Sequence, residues 1–277
     1  MALRFFFLIF LLTQGSWAKV LNESSQAPLP MAHIDQKLRS QANLLKSSLL
    51  ESGPSKYSEI KKTSDYKGFL EVTKALKNFD PLGLKTKDQK ISFWVNVYNS
   101  MIIHGIIHFE IKKSVKDISN FFKKVKYQVG SYELSLDQIE HGILRANRRP
   151  PYSLFRTLNS KTKKLALNKE EFDPRIHFVL NCGASSCPPF AFLKAESLEK
   201  DLSVAMRGFL STDLEIKEKN LMISKIFDWY SGDFQPSVLE YIRQHISEPD
   251  KLKAIQKISY RDYDWSLVGL KKTSSQE

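Results

Sequence analysis

Ile34, Leu38, Leu45 and Leu49 recur at helical spacing along an otherwise polar run, which predicts a surface helix over 32–50 with one buried stripe. Past Gly53-Pro54 a polar connection leads to a second predicted helix over 66–78, closed by Asp80-Pro81 and Gly83. The third predicted helix is of another kind. From Thr86 to about Phe109 the chain is apolar almost all round, carrying Phe93-Trp94-Val95-Asn96-Val97-Tyr98-Asn99 and then Met101-Ile102-Ile103-His104, and Thr86 with Gln89 fits a capping box at its start. A helix of that pattern is buried, so Asn96, Asn99 and His104 need partners inside the protein. Asn96 and Asn99 share a face and His104 projects from a different side. Such amides either orient a catalytic imidazole or oxyanion, or tie the helix to loop carbonyls; the second role is the expected one.

Ser135-Leu136-Asp137-Gln138 repeats the capping-box pattern ahead of Ile139-Glu140-His141-Gly142-Ile143-Leu144-Arg145, which sets His141 and Arg145 one turn apart and leaves Glu140 and Arg145 as a simple surface pair. Further on the periodicity changes. Ile176 to Leu180 predicts a strand running into a tight Gly183-Ala184-Ser185-Ser186 loop, with His177, Val179 and Asn181 on one face and Phe178, Leu180 and Cys182 on the other. An amphipathic helix over 197–210, a strand over 221–227 ending at Asp228, and a strand over 257–263 follow. Helices first and strands later predict an α+β chain, in which the helices of the N-terminal half pack on a small, mainly antiparallel sheet formed by the C-terminal half.

The reactive groups centre on the cysteine loop. Cys182 and Cys187 are the only cysteines, and three readings of them stand open: a disulfide closing a small loop, a nucleophilic thiolate served by a histidine, or a metal site. Four intervening residues and no second cysteine pair argue against zinc. Cys187 precedes two prolines, a sequence that starts helices, and a helix N-terminus would favour its thiolate. On the catalytic reading Cys187, or failing that Cys182, attacks a carbonyl. His177 or His141 then takes the proton, Asp228 or an Asn amide holds the imidazole, and N–H groups of Gly183 to Ser186 bind the oxyanion. Asp233, beside Gly232, is assigned to turn or capping chemistry. No metal or cofactor is expected: there is no phosphate-binding glycine loop and no Gly-x-Ser-x-Gly elbow, and no Glu follows His104 to make a zinc helix with His108.

The ends of the chain bear on the cysteines. Arg4, the apolar run Phe5 to Leu12 and Ser16-Trp17-Ala18 have the parts of a secretory signal peptide cut after Ala18, which predicts a secreted or periplasmic protein and favours a disulfide. Residues 19–30 read as a flexible arm, 31–270 as a single domain and 271–277 as a disordered tail. No other apolar stretch has transmembrane length. Loss of Arg4 lowers the net charge from +12 to +11; solubility accounts for a balance of that kind first, and the partner expected is an unknown substrate or an anionic cell-envelope component, while the lysines are dispersed and no specific nucleic-acid site is expected.

Taken together, Phe93 to Asn99, Ile139 to Arg145, Ile176-His177-Phe178 with Asn181-Cys182-Gly183 and Ser186-Cys187-Pro188, Phe227-Asp228-Trp229-Tyr230 with Asp233-Phe234, and Tyr263-Asp264-Trp265-Ser266-Leu267 resemble the DUF547 family over roughly residues 60–267. The resemblance implies a shared fold and no assigned activity. The order of helix, histidine segment and acidic segment is also loosely similar to papain-like and transglutaminase-like hydrolases. Where those place the nucleophile on the early helix, this chain has Asn96 and Asn99.

Overall fold

The computed structural model describes residues 18–23, 31, 33–53 and 56–269. The expected signal peptide up to Trp17, residues 24–30 of the arm and the tail 271–277 lie outside them. Eight α-helices follow in chain order: α1 (Ile34–Ser52), α2 (Tyr57–Ile60), α3 (Ser64–Ala75), α4 (Lys87–His108), α5 (Phe121–Lys124), α6 (Leu198–Asp213), α7 (Ile226–Trp229) and α8 (Val238–His245). Strands β1 (Lys19–Val20), β2 (Val125–Val129) and β3 (Tyr132–Ser135) form one sheet, and β4 (Glu215–Lys217), β5 (Asn220–Ile223) and β6 (Lys257–Tyr260) a second.

α4 is the centre of the helical part. Its capping box is formed by Thr86 and Gln89, and every residue from Ile91 to Ile107 is buried, as expected of an apolar cylinder. α1 lays Leu38, Ala42 and Leu45 against this core, and α3 adds Phe69 and Val72. A second apolar cluster joins Phe178, Met206 and Leu210 of α6, Leu221, Phe227, Phe234 and Ile242. Ile176 belongs to the first cluster and Phe178 to the second, so His177 sits at the seam between them.

The class is α+β. Each sheet is mixed, however, with one antiparallel pair (β2–β3, β4–β5) and one parallel pair (β1–β2, β5–β6), and the first sheet belongs to the N-terminal half. Its hairpin turns at Gly130, whose φ of 55° suits glycine and where a Cβ would stand 2.5 Å from the Phe79 carbonyl oxygen. The beginning of the expected flexible arm is a strand. Asn22 pins it there: buried, it donates to Thr73 O and Gln128 O at 2.8 Å each and accepts from Gln128 N.

Three other expectations give way to local hydrogen bonding. Residues Pro174–Phe178 form a 3₁₀-helix rather than a strand. Pro174 fixes the first position, Asp173 accepts from Arg175 N at 3.1 Å, and the Arg175 guanidinium bridges Asp173 and Glu199; those bonds outweigh the β-branched pattern. The strand expected over 221–227 ends at Ile223, because Ser224 is held by Asp213 and caps the turn into α7 through Ile226 N. Cys187 is at no helix N-terminus, since the chain runs on without regular structure to Ala195. No helix among the described residues is long and apolar enough to cross a membrane.

Candidate functional site

Gln138–Leu144 winds as a π-helix, entered through the reciprocal Ser135 and Gln138 bonds and continued by Arg145 N to Glu140 O at 2.9 Å and Asn147 N to Gly142 O at 2.7 Å. Its wide turn lets Arg145 fold back on His141, with Nη1 3.0 Å from Nδ1. An arginine only donates, so His141 Nδ1 carries a lone pair and its proton sits on Nε2. Burial pushes this imidazole down to about 4, against the pull of Glu140, which keeps it neutral at pH 7. Arg145 also forks onto Asp233 (2.7 and 3.2 Å), and Arg148 adds a third contact.

Asp233 therefore takes the position expected for Asp228. Its Oδ2 lies 2.8 Å from His177 Nε2. Although burial opposes the charge, His177 and Arg145 hold the carboxyl well below the usual carboxylate range, so it accepts and His177 Nε2 donates. The Nδ1 of His177 is left with its lone pair. Burial lowers the basicity of the ring against Asp233, and Tyr230 stacks on it at 4.1 Å. Asp228 instead lies on α7, 41% exposed and paired with Lys225 at 2.8 Å, too far out on the surface to orient an imidazole.

Beside these histidines Glu140 is mostly enclosed, its side chain 13% exposed, and it is no surface partner of Arg145. Its two oxygens accept from Tyr230 OH at 2.6 Å and Tyr98 OH at 2.9 Å. Burial pulls its pKa up, but His141, the Tyr230 hydroxyl and Arg145 outweigh it, and the carboxylate is ionised. Asp137 accepts from Tyr152 OH at 2.6 Å through Oδ1, while its buried Oδ2 has no hydrogen-bond partner among the described residues; burial pushes this carboxyl up to about 6.

Of these groups, Tyr98, Asp137, Glu140, His141, Tyr152, His177 and Tyr230 line one cavity of about 360 Å³. Asp137, Glu140, His141 and His177 supply its polar wall. Seven aromatic rings, Tyr98, Phe122, Tyr152, Trp229, Tyr230, Tyr263 and Trp265, supply most of the rest, and no Lys or Arg faces it among the described residues. The volume is at the lower end for small-molecule sites, about 300–1,000 Å³.

Cys182 and Cys187 also line the cavity, joined as a disulfide with an S–S distance of 2.06 Å. Tyr263 OH lies 3.3 Å from Cys182 Sγ and 3.1 Å from Cys187 Sγ. A bridged sulfur is no nucleophile, so the thiolate expected at Cys187 or Cys182 does not exist in this form. Three of the expected oxyanion donors are spent as well: Gly183 N donates to Asn181 Oδ1, Ser185 N to Ser266 O and Ser186 N to Asp264 O.

The remaining candidates stand apart. Asn96 pairs both ways with the Leu193 backbone, and Asn99 donates to Val179 O and Ala191 O and accepts from Asn181 N. His104 bonds Tyr127 OH through Nδ1 at 2.8 Å and packs edge-on against Phe69, away from the cavity. Among the described residues no group of histidine, cysteine and carboxylate side chains is placed to hold a metal ion. Sequence reasoning assigned no role to Asp137, Tyr98, Tyr152, Trp229, Tyr230, Tyr263 or Trp265. The signal for most of them was the polar tip of an aromatic residue inside an apolar or family-like motif, since a buried hydroxyl needs a partner.

Residues 82–210 match the family described as "Protein of unknown function, DUF547". Over that stretch, a little under half of its length, the chain is similar to the DUF547 family. Neither the curated proteins nor the solved structures contain a match to this chain. Within the DUF547 match lie α4, the π-helix, His177 and the disulfide, whereas Asp233, Trp229, Tyr230, Tyr263 and Trp265 follow it in sequence.

Proposed function

We propose that this DUF547-like domain is an exported binding module whose aromatic cavity takes an organic cation with an apolar body. One observation carries the reading: in a chain with 42 Lys and Arg, the cavity presents two carboxylates and seven Phe, Tyr and Trp rings and no Lys or Arg among the described residues. The face of an aromatic ring attracts ammonium groups, and a desolvated carboxylate adds a direct charge partner. Glu140 is that partner, and the unpaired Oδ2 of Asp137 offers a second acceptor. The disulfide also lines the cavity, and its presence supports the proposed export to an oxidising compartment. In the test, an arylalkylammonium ion raises the unfolding temperature of the wild type, as binding to the folded state must, and Glu140→Gln removes the shift by weakening binding roughly 10- to 100-fold. An equal shift in the variant would refute the role of Glu140.

A hydrolytic reading survives only without the thiol. His177 favours it, because the residue lines the cavity and Asp233 fixes its Nε2–H, which leaves the lone pair on Nδ1 to take a proton from water. An ester of the bound cation is then hydrolysed by the wild type and roughly 100-fold or more slowly by His177→Gln. Equal rates in the two proteins would leave the site a binding site alone.

A further inference from the structure

The loop after the π-helix is the most exposed apolar feature of the described residues. Leu154 and Phe155 are each 79% exposed and Tyr152 is 61% exposed. They are not frayed ends. Ser153 N donates to Pro150 O at 3.1 Å, and Ser153 Oγ both accepts from Phe155 N and donates to Phe155 O, a built turn that holds the two apolar side chains outward. The charge around them has one sign: from His141 to Lys169 the chain contains no Asp or Glu, and Arg149, Arg156, Lys161, Lys163 and Lys164 are all exposed.

Apolar side chains at the tip of a turn, flanked by basic ones without a single acid, suit a surface that is apolar below and anionic above. We propose that residues 149–164 seat this domain on an anionic phospholipid membrane, Leu154 and Phe155 entering the acyl boundary and the Arg and Lys side chains meeting the phosphates. Interfacial binding of this type combines buried apolar area with attraction to anionic lipid. A second copy of the chain would bring a second basic patch against the first, which the charge disfavours. Pro151 and Tyr152 line the cavity as well as the loop, so the seated protein opens its cavity towards the bilayer. The proposal stands on the loop alone and does not depend on what the cavity binds.

The test is co-sedimentation of the exported chain with vesicles of phosphatidylcholine, with and without phosphatidylglycerol. The wild type sediments with the anionic vesicles and progressively less as salt is added. Leu154→Ser/Phe155→Ser loses roughly tenfold or more in apparent affinity with an unchanged unfolding temperature. Lys161→Gln/Lys163→Gln/Lys164→Gln weakens binding and flattens its salt dependence. Binding by the serine variant equal to wild type, binding indifferent to phosphatidylglycerol, or a wild type that ignores both vesicles and forms dimers through this loop would each overturn the proposal.

Discussion

Two of the buried polar groupings along α4 are built differently. On one face Asn96 and Asn99 spend their amides on backbone atoms of Leu193, Val179, Ala191 and Asn181. Facing the cavity, Tyr98 meets Glu140, and beyond it His141, His177, Asp137 and three tyrosines bond side chain to side chain, with a lone pair left over at Asp137 Oδ2. The first grouping is saturated and holds loops to a helix. The second is incomplete from within, and an incomplete buried network beside a cavity is what a ligand can complete.

The sharpest way to break that division is to exchange Asn99 for Leu, which keeps the shape and removes the hydrogen bonds. Two carbonyls and one N–H lose their partner, and at about 1–3 kcal/mol each the loss of stability in urea unfolding is about 3 kcal/mol or more. A loss below about 1 kcal/mol would show that the amides are not structural.

A smaller effect tests the cavity side through pH. Asp137 titrates near 3.8 in the ordinary case and is pushed up to about 6 by burial in the folded protein. Between those values the folded state binds the extra proton, so this group's contribution is fully present below pH 3.8 and is lost as pH rises through 6. Asp137→Asn lacks that loss, and its stability relative to wild type climbs across the same interval by up to about 3 kcal/mol. His141, with its pKa lowered from 6.5 to about 4, runs the other way, costing stability as pH falls through that range, and cancels in the difference between the two proteins. A flat difference would contradict the account of Asp137 as a buried, half-satisfied carboxylate.

The sequence made the helical half legible because its signals are local. The stripe of α1, the Thr86 capping box and the all-round apolar α4 each follow from spacing along a few turns. The amide ties of Asn96 and Asn99 were expected in kind, and their partners came from residues 80 to 97 positions away. The site was legible in composition but not in pairing. His141 and His177 could be picked out, while Glu140 read as a surface group, and the acid that holds His177 is Asp233, not Asp228, because the strand expected to carry Asp228 stops at a Ser224 cap and α7 turns that carboxyl outward. Likewise the alternation of 176–180 was overridden by Asp173 and Arg175, whose hydrogen bonds leave no mark on a hydrophobic pattern.

The most direct measurement is a calorimetric titration of the wild-type protein with an arylalkylammonium ion and with its neutral isostere, in which a hydroxyl replaces the amine. The account predicts saturable binding of the cation at one site, binding of the neutral compound weaker by roughly tenfold or more, and loss of that preference in Glu140→Gln. Equal affinity for the charged and neutral compounds, or a preference for an anion, would contradict it.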